Sequence, residues 1–454
     1  MAPARLSPLD ASFLEVESPT AHMHVGWAAT FAPPEGARRP SFEDLRDHIA
    51  RRLCRAPRYR QRLAQVPLGI DTPVLVDDSD FDVVRHVRRS DASTLGEVTD
   101  AVMSAPLDHS LPLWELWIAD RLEDGRIGVV GKVHHCLVDG VAAVELAAML
   151  LDPEPDPEPI EPDGWRPAPT PDALTLAAGG VRDRASRQLG LMRAPVAAVS
   201  KPKRLFGFAE DARRAASALA DSFGSPAPES PLNEPISSDR HVATVARPLG
   251  QLRDVSRRFA TKLNDVLLAV SAGGMRRFLE RRDEEPIPLR TMVPVNVRDG
   301  DGDDLGNHIS FIFVDLPCQE PDPLVRLMRV YVDTSRRKLG GVPRGADSVL
   351  KTVGYAPRVV QQAAAHLAAS PRTYNLVVSN IPGPPETMYM LGCRLEQAFP
   401  IVPLADRHAL SIGMTTVAGT ACFGLYADRE TLPDADLLAR DVEDSIDELL
   451  ELSA

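Results

Sequence analysis

Two α/β units in tandem, joined by a helical connector and sharing one cleft, are what the sequence predicts. Three observations carry this expectation. The chain has 454 residues, 44% of them hydrophobic, which exceeds what one hydrophobic core usually organises. Both halves alternate β-branched runs with stretches of helical spacing, the mark of mixed layers. A run that alternates proline with acid over residues 152–163 separates the halves, and an Ala- and Arg-rich stretch follows it. The expected units are residues 1–152, a linker and connector over 153–235, and residues 236–454.

In chain order, the first helix follows Ser41, whose hydroxyl caps residues 42–53, with Phe42, Leu45, Ile49 and Leu53 at helical spacing. A second helix is expected over 95–104, a β-branched strand over 127–133 and an apolar helix over 141–151. The connector, about 171–223, has helical character broken at Gly190, Pro195, Pro202 and Gly207. The second half gives a helix over 264–281 and strands over 288–297 and 308–316. Helices follow over 323–338 and, interrupted near Pro357, over 348–369. A strand over 374–380, a hairpin-like run over 410–426 and a closing helix over 434–452 complete it. No short repeat appears, which argues against a solenoid.

Composition excludes several functions. A net charge of −13 argues against nucleic acid as a main partner, since phosphate binding needs a dominant basic face. The five cysteines are scattered, with no C-x-x-C pair, so neither a disulfide frame nor a zinc site is indicated and a reducing, cytoplasmic setting fits. No run reaches the ~18 apolar residues of a membrane span. No G-x-S-x-G elbow, H-E-x-x-H pair or dinucleotide fingerprint appears. The acidic run 299–304 imitates a calcium loop for three positions but has Ser310 where the bidentate glutamate belongs. No metal and no cofactor are therefore expected.

The strongest chemical signal is His134-His135-Cys136-Leu137-Val138-Asp139-Gly140, on the turn between the expected strand and helix. An imidazole with an ordinary pKa of about 6.5 accepts a proton from a hydroxyl near neutral pH, which suits His135 to general-base work. The alternative is a satisfied core histidine with Asp139 in a turn-forming role. Asp139 suits loop anchoring through a buried arginine better than proton relay, and Gly140 clears space where the backbone turns into the next helix. Adjacent residues rarely face one another, so a Cys136/His135 nucleophile pair is disfavoured.

This H-H-x-x-x-D-G pattern resembles the active-site signature of the coenzyme-A-dependent acyltransferase superfamily, which includes chloramphenicol acetyltransferase and peptide-synthetase condensation domains. Residues 6–14 (Leu6-Ser7-Pro8-Leu9-Asp10-Ala11-Ser12-Phe13-Leu14) and Pro112-Leu113-Trp114-Glu115 resemble signatures of the bacterial wax ester synthase/diacylglycerol acyltransferase family. So do Asn264-Asp265, Asn296-Val297-Arg298-Asp299 with Gly306-Asn307, and Ser379-Asn380-Ile381-Pro382-Gly383-Pro384, in the same order. The resemblance spans nearly the whole chain and is least specific over the connector. It implies two chloramphenicol-acetyltransferase-like α/β domains, with acyl donor and hydroxyl acceptor reaching His135 from opposite mouths of a tunnel. The implied substrates are a long-chain acyl-CoA and diacylglycerol or a fatty alcohol.

The remaining residues keep two readings each. His134 is either a buried spacer or a support for His135. Asn264 and Asp265 are helix-capping residues or substrate-positioning ones. Arg298 is ordinary loop chemistry or the anchor of an interdomain carboxylate such as Asp139. Ser379 and Asn380 close a strand as a fixed turn or supply an oxyanion donor. Trp114 and Trp117 read as core. Two rivals stand beside the acyl-CoA reading: a condensation-like transferase with a carrier-bound donor or another acceptor, and a catalytically silent lipid-binding homologue. The connector sets Arg182, Arg184, Arg187, Arg193, Lys201, Lys203, Arg204, Arg213 and Arg214 among apolar residues. That mixture suits peripheral docking at the inner membrane surface or on lipid droplets. The alternatives are a solvated interdomain helix pair or a counter-charge for coenzyme A phosphates.

Overall fold

The computed structural model describes residues 4–34, 36, 38–137, 149–161, 163–185, 226–296, 309–339 and 358–453. Within them lie two six-stranded mixed sheets and a small three-stranded one. The first large sheet centres on β2 (His24–Ala32) and β7 (Ile127–His134), which pair antiparallel with His24 opposite His134. It continues through β6 (Trp114–Ala119) to β5 (Val87–Arg89). On the far side of β2 lie β13 (Cys393–Ile401) and β12 (Tyr389–Met390). The second sheet runs β10 (Ile309–Leu316), β9 (Leu289–Asn296), β11 (Leu376–Ile381), β14 (Leu410–Val417), β15 (Thr420–Asp428) and β8 (Arg240–Pro248). The small sheet is β1 (Ala4–Arg5), β4 (Val74–Asp77) and β3 (Gln61–Ala64).

The expected fold class holds, with one difference in how the chain is shared out. Residues 236–454 do not stay in one layer, because β13 pairs with β2 from Ile401 opposite Gly26 to Arg394 opposite Ala32. Met390, Cys393 and Leu395 thereby join the first half's core beside Phe31, Trp114 and Val133. Across β2 the chains approach closely: a Cβ on Gly131 would stand 2.5 Å from the Trp27 ring, so only glycine fits there.

Local chemistry explains the helices. Ser7 caps α1 (Pro8–Glu15) by accepting from the Asp10 N–H, with proline at the first position. Ser41 and Asp44 form a reciprocal capping box on α2 (Phe42–Arg52), as do Thr94 and Glu97 on α3 (Leu95–Ser104). Lys132, buried in β7, donates to the carbonyls of Val102 and Ala105 at 2.9 Å each and pins the end of α3 to the sheet. The second half adds α4 (Leu249–Arg258), α5 (Leu263–Arg281), α6 (Pro323–Leu339), α7 (Arg358–Ala368) and α8 (Ala435–Ser453).

The linker leaves the first unit pinned at both ends. Asp152 bridges Tyr389 and takes a 2.6 Å hydrogen bond from buried Arg52. Asp163 receives two bonds from Arg60. The described residues between, 153–161, are mostly exposed and lack regular structure, as their prolines dictate. A helical run over 173–185 opens the connector, and Arg184 donates to the Ile70 carbonyl while Asp183 takes Arg5. The remaining cations of the connector, the expected helix over 141–148 and the segment 348–357 lie outside the described residues.

Candidate active site

The site is built where β7 ends. His134 is the strand's last residue and His135 opens a single 3-10 turn, His135–Leu137. The His135 N–H donates to the Met23 carbonyl at 2.9 Å, which hooks the turn to the start of β2. Its ring stacks on Phe13 of α1, centroids 3.7 Å apart and planes within 11°. The Nδ1 atom is buried and has no hydrogen-bond partner among the described residues. Burial pushes the imidazole down to about 4, against a smaller upward pull from its own backbone. His135 is therefore neutral throughout the physiological range.

His134 is fully buried, and its Nδ1 accepts the Cys136 N–H at 3.1 Å. Its Nε2 lies 3.6 Å from Glu17, just beyond α1. Glu17 also pairs with His109 at 3.1 Å. Burial opposes ionisation of Glu17, but the bond from His109 and the neighbouring His134 ring outweigh it and hold the carboxyl down to about 2. His109 is raised by the same bond. A cavity of about 510 Å³ opens beside them, lined by Glu17, Pro19, His22, Ser104, His109 and Ser238. The last of these comes from the second half, so the cavity lies between the units. Helix α3 joins them there: Asp100 accepts from His241 at 2.8 Å and Ser104 from the Arg240 N–H at 2.8 Å.

Glu17, His109 and His134 also bring three ligand-type atoms within 4.8 Å of one another. A metal on His134 Nε2 would require the proton on Nδ1, and that nitrogen is accepting a backbone N–H. The donor set suits hydrogen bonding instead. Cys136 is buried, which pushes its thiol well above its ordinary value and makes it inert as a nucleophile.

The other sequence candidates fall in several places. Asp139, Gly140 and Arg298 lie outside the described residues. Asp265 is buried with both carboxylate oxygens engaged, by the Lys262 N–H at 2.9 Å and the Thr334 hydroxyl at 2.7 Å, so it caps α5 and ties it to α6. Asn264 sits beside it, half-buried. Ser379 and Asn380 lie near the end of β11 in the second sheet. No hydrogen bond or ion pair among the described residues joins these four to His134 or His135. Trp114 is core, donating to the Tyr59 carbonyl at 2.7 Å, and Trp117 is half-buried beneath Arg88.

Sequence reasoning missed Glu17, His109, His22 and His24, and named Phe13 only within the amino-terminal signature. One signal was available: Ala21-His22-Met23-His24 precedes a strand, and His22 and His24 are both buried, His24 with neither ring nitrogen hydrogen-bonded. Burial depresses both rings. Glu17 and His109, 92 residues apart, left no local pattern.

Two mixed sheets, the first completed by strands from the second half, with a paired histidine closing the buried strand β7, define a two-unit acyltransferase. The chain belongs to the wax ester synthase/diacylglycerol acyltransferase family: the catalytic-domain description of that family matches residues 6–267 and its C-terminal-domain description residues 305–450. A protein of Mycobacterium tuberculosis named as a probable diacylglycerol O-acyltransferase is 31% identical over 459 residues, covering 99% of this chain and 96% of its own. A second of that name and species is 30% identical over 466 residues, with 98% of each covered. Among solved structures, the wax ester synthase/diacylglycerol acyltransferase of Marinobacter aquaeolei matches with a TM-score of 0.71 at 25% identity over 99% of both chains. The first condensation domain of the calcium-dependent antibiotic synthetase shares the fold, with a TM-score of 0.62 at 14% identity over 100% of this chain and 96% of that one.

Proposed function

We propose that this enzyme transfers a long-chain acyl group from acyl-CoA to the hydroxyl of diacylglycerol or a fatty alcohol, with His135 as general base. The observation that carries this is an imidazole kept neutral by burial, on a turn whose His135 backbone N–H bonds the Met23 carbonyl and with its ring stacked on Phe13; Nδ1 is buried, which leaves Nε2 as the proton acceptor. Nε2 takes the proton of the acceptor hydroxyl as its oxygen attacks the thioester carbonyl. The tetrahedral intermediate collapses, the C–S bond breaks, and the imidazolium returns its proton to the departing thiolate. Transfer is direct, without an acyl-enzyme. No cofactor enters, because the thioester carries the activation.

Ser379 supports an oxyanion-donor role, since its hydroxyl makes no hydrogen bond among the described residues. We assign Asp139 and Arg298 to holding the turn rather than to proton transfer. Thiol release from palmitoyl-CoA that depends on diacylglycerol or hexadecanol tests the reading. His135→Ala should lower turnover by about two to four orders of magnitude while the protein stays folded. Retention of more than roughly a tenth of the activity removes His135 from this role. Release from a carrier-bound acyl group alone would favour a condensation-type enzyme, and lipid binding without turnover a silent homologue.

No helix among the described residues is long and apolar enough to cross a membrane. Access to insoluble acceptors therefore falls to a surface, and the connector's mixture of cations and apolar residues supports docking on anionic membranes or lipid droplets. Vesicle flotation of a folded variant with Lys201, Lys203 and Arg204 changed to Gln and Phe206 and Phe208 to Ser decides it. Unchanged binding to anionic vesicles defeats the assignment.

A further inference from the structure

We propose that Glu17 is a positioning residue for the His135 centre, acting through His134, whose ring tautomer and orientation its carboxylate fixes. The proposal rests on the reading of His135 as general base. It starts from the His134 ring, which is fully buried at the end of β7. Its Nδ1 accepts the Cys136 N–H, so that nitrogen carries no proton. A neutral ring then carries its proton on Nε2. That atom is buried and has no hydrogen-bond partner within 3.5 Å among the described residues. The acceptor it faces is the Glu17 carboxylate, 3.6 Å away.

The second Glu17 oxygen is held by His109, so the carboxylate is fixed from the solvent side as well. His22 lines the same cavity, and Arg240, from the second half, donates to the Thr20 carbonyl three residues on from Glu17. One short segment thus touches both histidines: Phe13 stacks on His135 and Glu17 faces His134. The Cys136 N–H that His134 accepts belongs to the turn that carries His135. If Glu17 is lost, a buried Nε2–H has nothing to bond, the alternative tautomer becomes competitive, and that tautomer cannot accept the Cys136 N–H. The turn loosens and the His135 ring drifts. A displacement of ~1 Å in a reacting group costs on the order of 100-fold in rate.

The test uses the full chain with Glu17→Ala and Glu17→Gln, acceptor-dependent thiol release, and selective 15N-histidine spectra, with the His134 signal assigned by His134→Phe. Glu17→Ala should lower kcat by about 10- to 100-fold with KM within about twofold. It should also move the His134 signal away from the Nε2–H tautomer. Glu17→Gln, whose amide oxygen can accept the same proton, should restore the tautomer and most of kcat. The acid limb of the pH profile should be unchanged in both, because Glu17 does not act on the His135 ring directly. If Glu17→Ala does not fold, Glu17→Met keeps the side-chain length without an acceptor and is read against Glu17→Gln in the same way. A kcat within threefold of wild type without the acceptor, or a wild-type His134 signal, overturns the proposal. A His135→Ala control that keeps its activity defeats the general-base reading instead, and the His134 signal still reports on the Glu17 contact.

Discussion

Lowering the pH probes the His135 environment. The ring is pushed from 6.5 to about 4 by burial. For a free imidazole of ordinary pKa only about 25% is neutral at pH 6, whereas at a pKa near 4 about 99% is. Activity relative to pH 8 should thus fall roughly fourfold by pH 6 in the first case and stay flat in the second. The assay is kcat/KM for thiol release between pH 5 and 8, with the fold monitored by circular dichroism at each point. Phe13 covers one face of the ring, so Phe13→Ala should admit water and move the acid limb up towards 6.5. A wild-type acid limb between pH 6 and 7 would refute the desolvation argument. Stability sets the lower bound of the assay. His48, His135 and His408 each go from 6.5 to about 4 on burial. The unfolded chain binds these protons first as pH falls, so the stability they confer is full above pH 6.5 and is lost down to pH 4. At ~1.4 kcal/mol per pH unit, each contributes at most about 3 kcal/mol to that loss.

Three further substitutions test the architecture. Asp152→Ala strands buried Arg52 and should cost about 3–5 kcal/mol in chemical denaturation, with Asp152→Asn milder. Gly383→Ala would put a Cβ 1.9 Å from the Thr416 carbonyl oxygen and should destabilise by ~1–3 kcal/mol, read as a lower Tm; an unchanged Tm would show that the turn after β11 yields freely. Thr334→Val leaves one Asp265 oxygen unbonded in the core and should cost about 1–3 kcal/mol by denaturant titration, with little effect on KM.

Elements with strong periodicity are legible in the sequence. The helices over 42–53, 95–104 and 264–281 and the strand over 127–133 stand within a residue or two of their expected ends, because caps and apolar spacing are local properties. Strand β2 was missed because Gly26, Ala28 and Ala29 have little β preference of their own. Strand β13 mixes Arg394, Glu396 and Pro400 into its run and becomes a strand through pairing with β2. The His135 motif was legible because its residues are contiguous. Glu17 and His109 were not, and Phe13 stood only as one letter of the amino-terminal signature, since two separate segments converge on the histidine turn only after the sheets assemble.

The strand that β13 lends to the first sheet sets an order for synthesis. Residues 1–137 contain β2, β7, β6 and β5, but the outer edge of β2 has no neighbour until residues 393–401 leave the ribosome. Until then Gly26 to Ala32 present unpaired backbone donors and acceptors on an apolar strand, the kind of edge that recruits other chains. Expression of the first half alone should accordingly yield aggregates. In the cell, that edge stays open while about 260 further residues are made, counted from residue 137 to residue 401, and a slower second half lengthens the exposure.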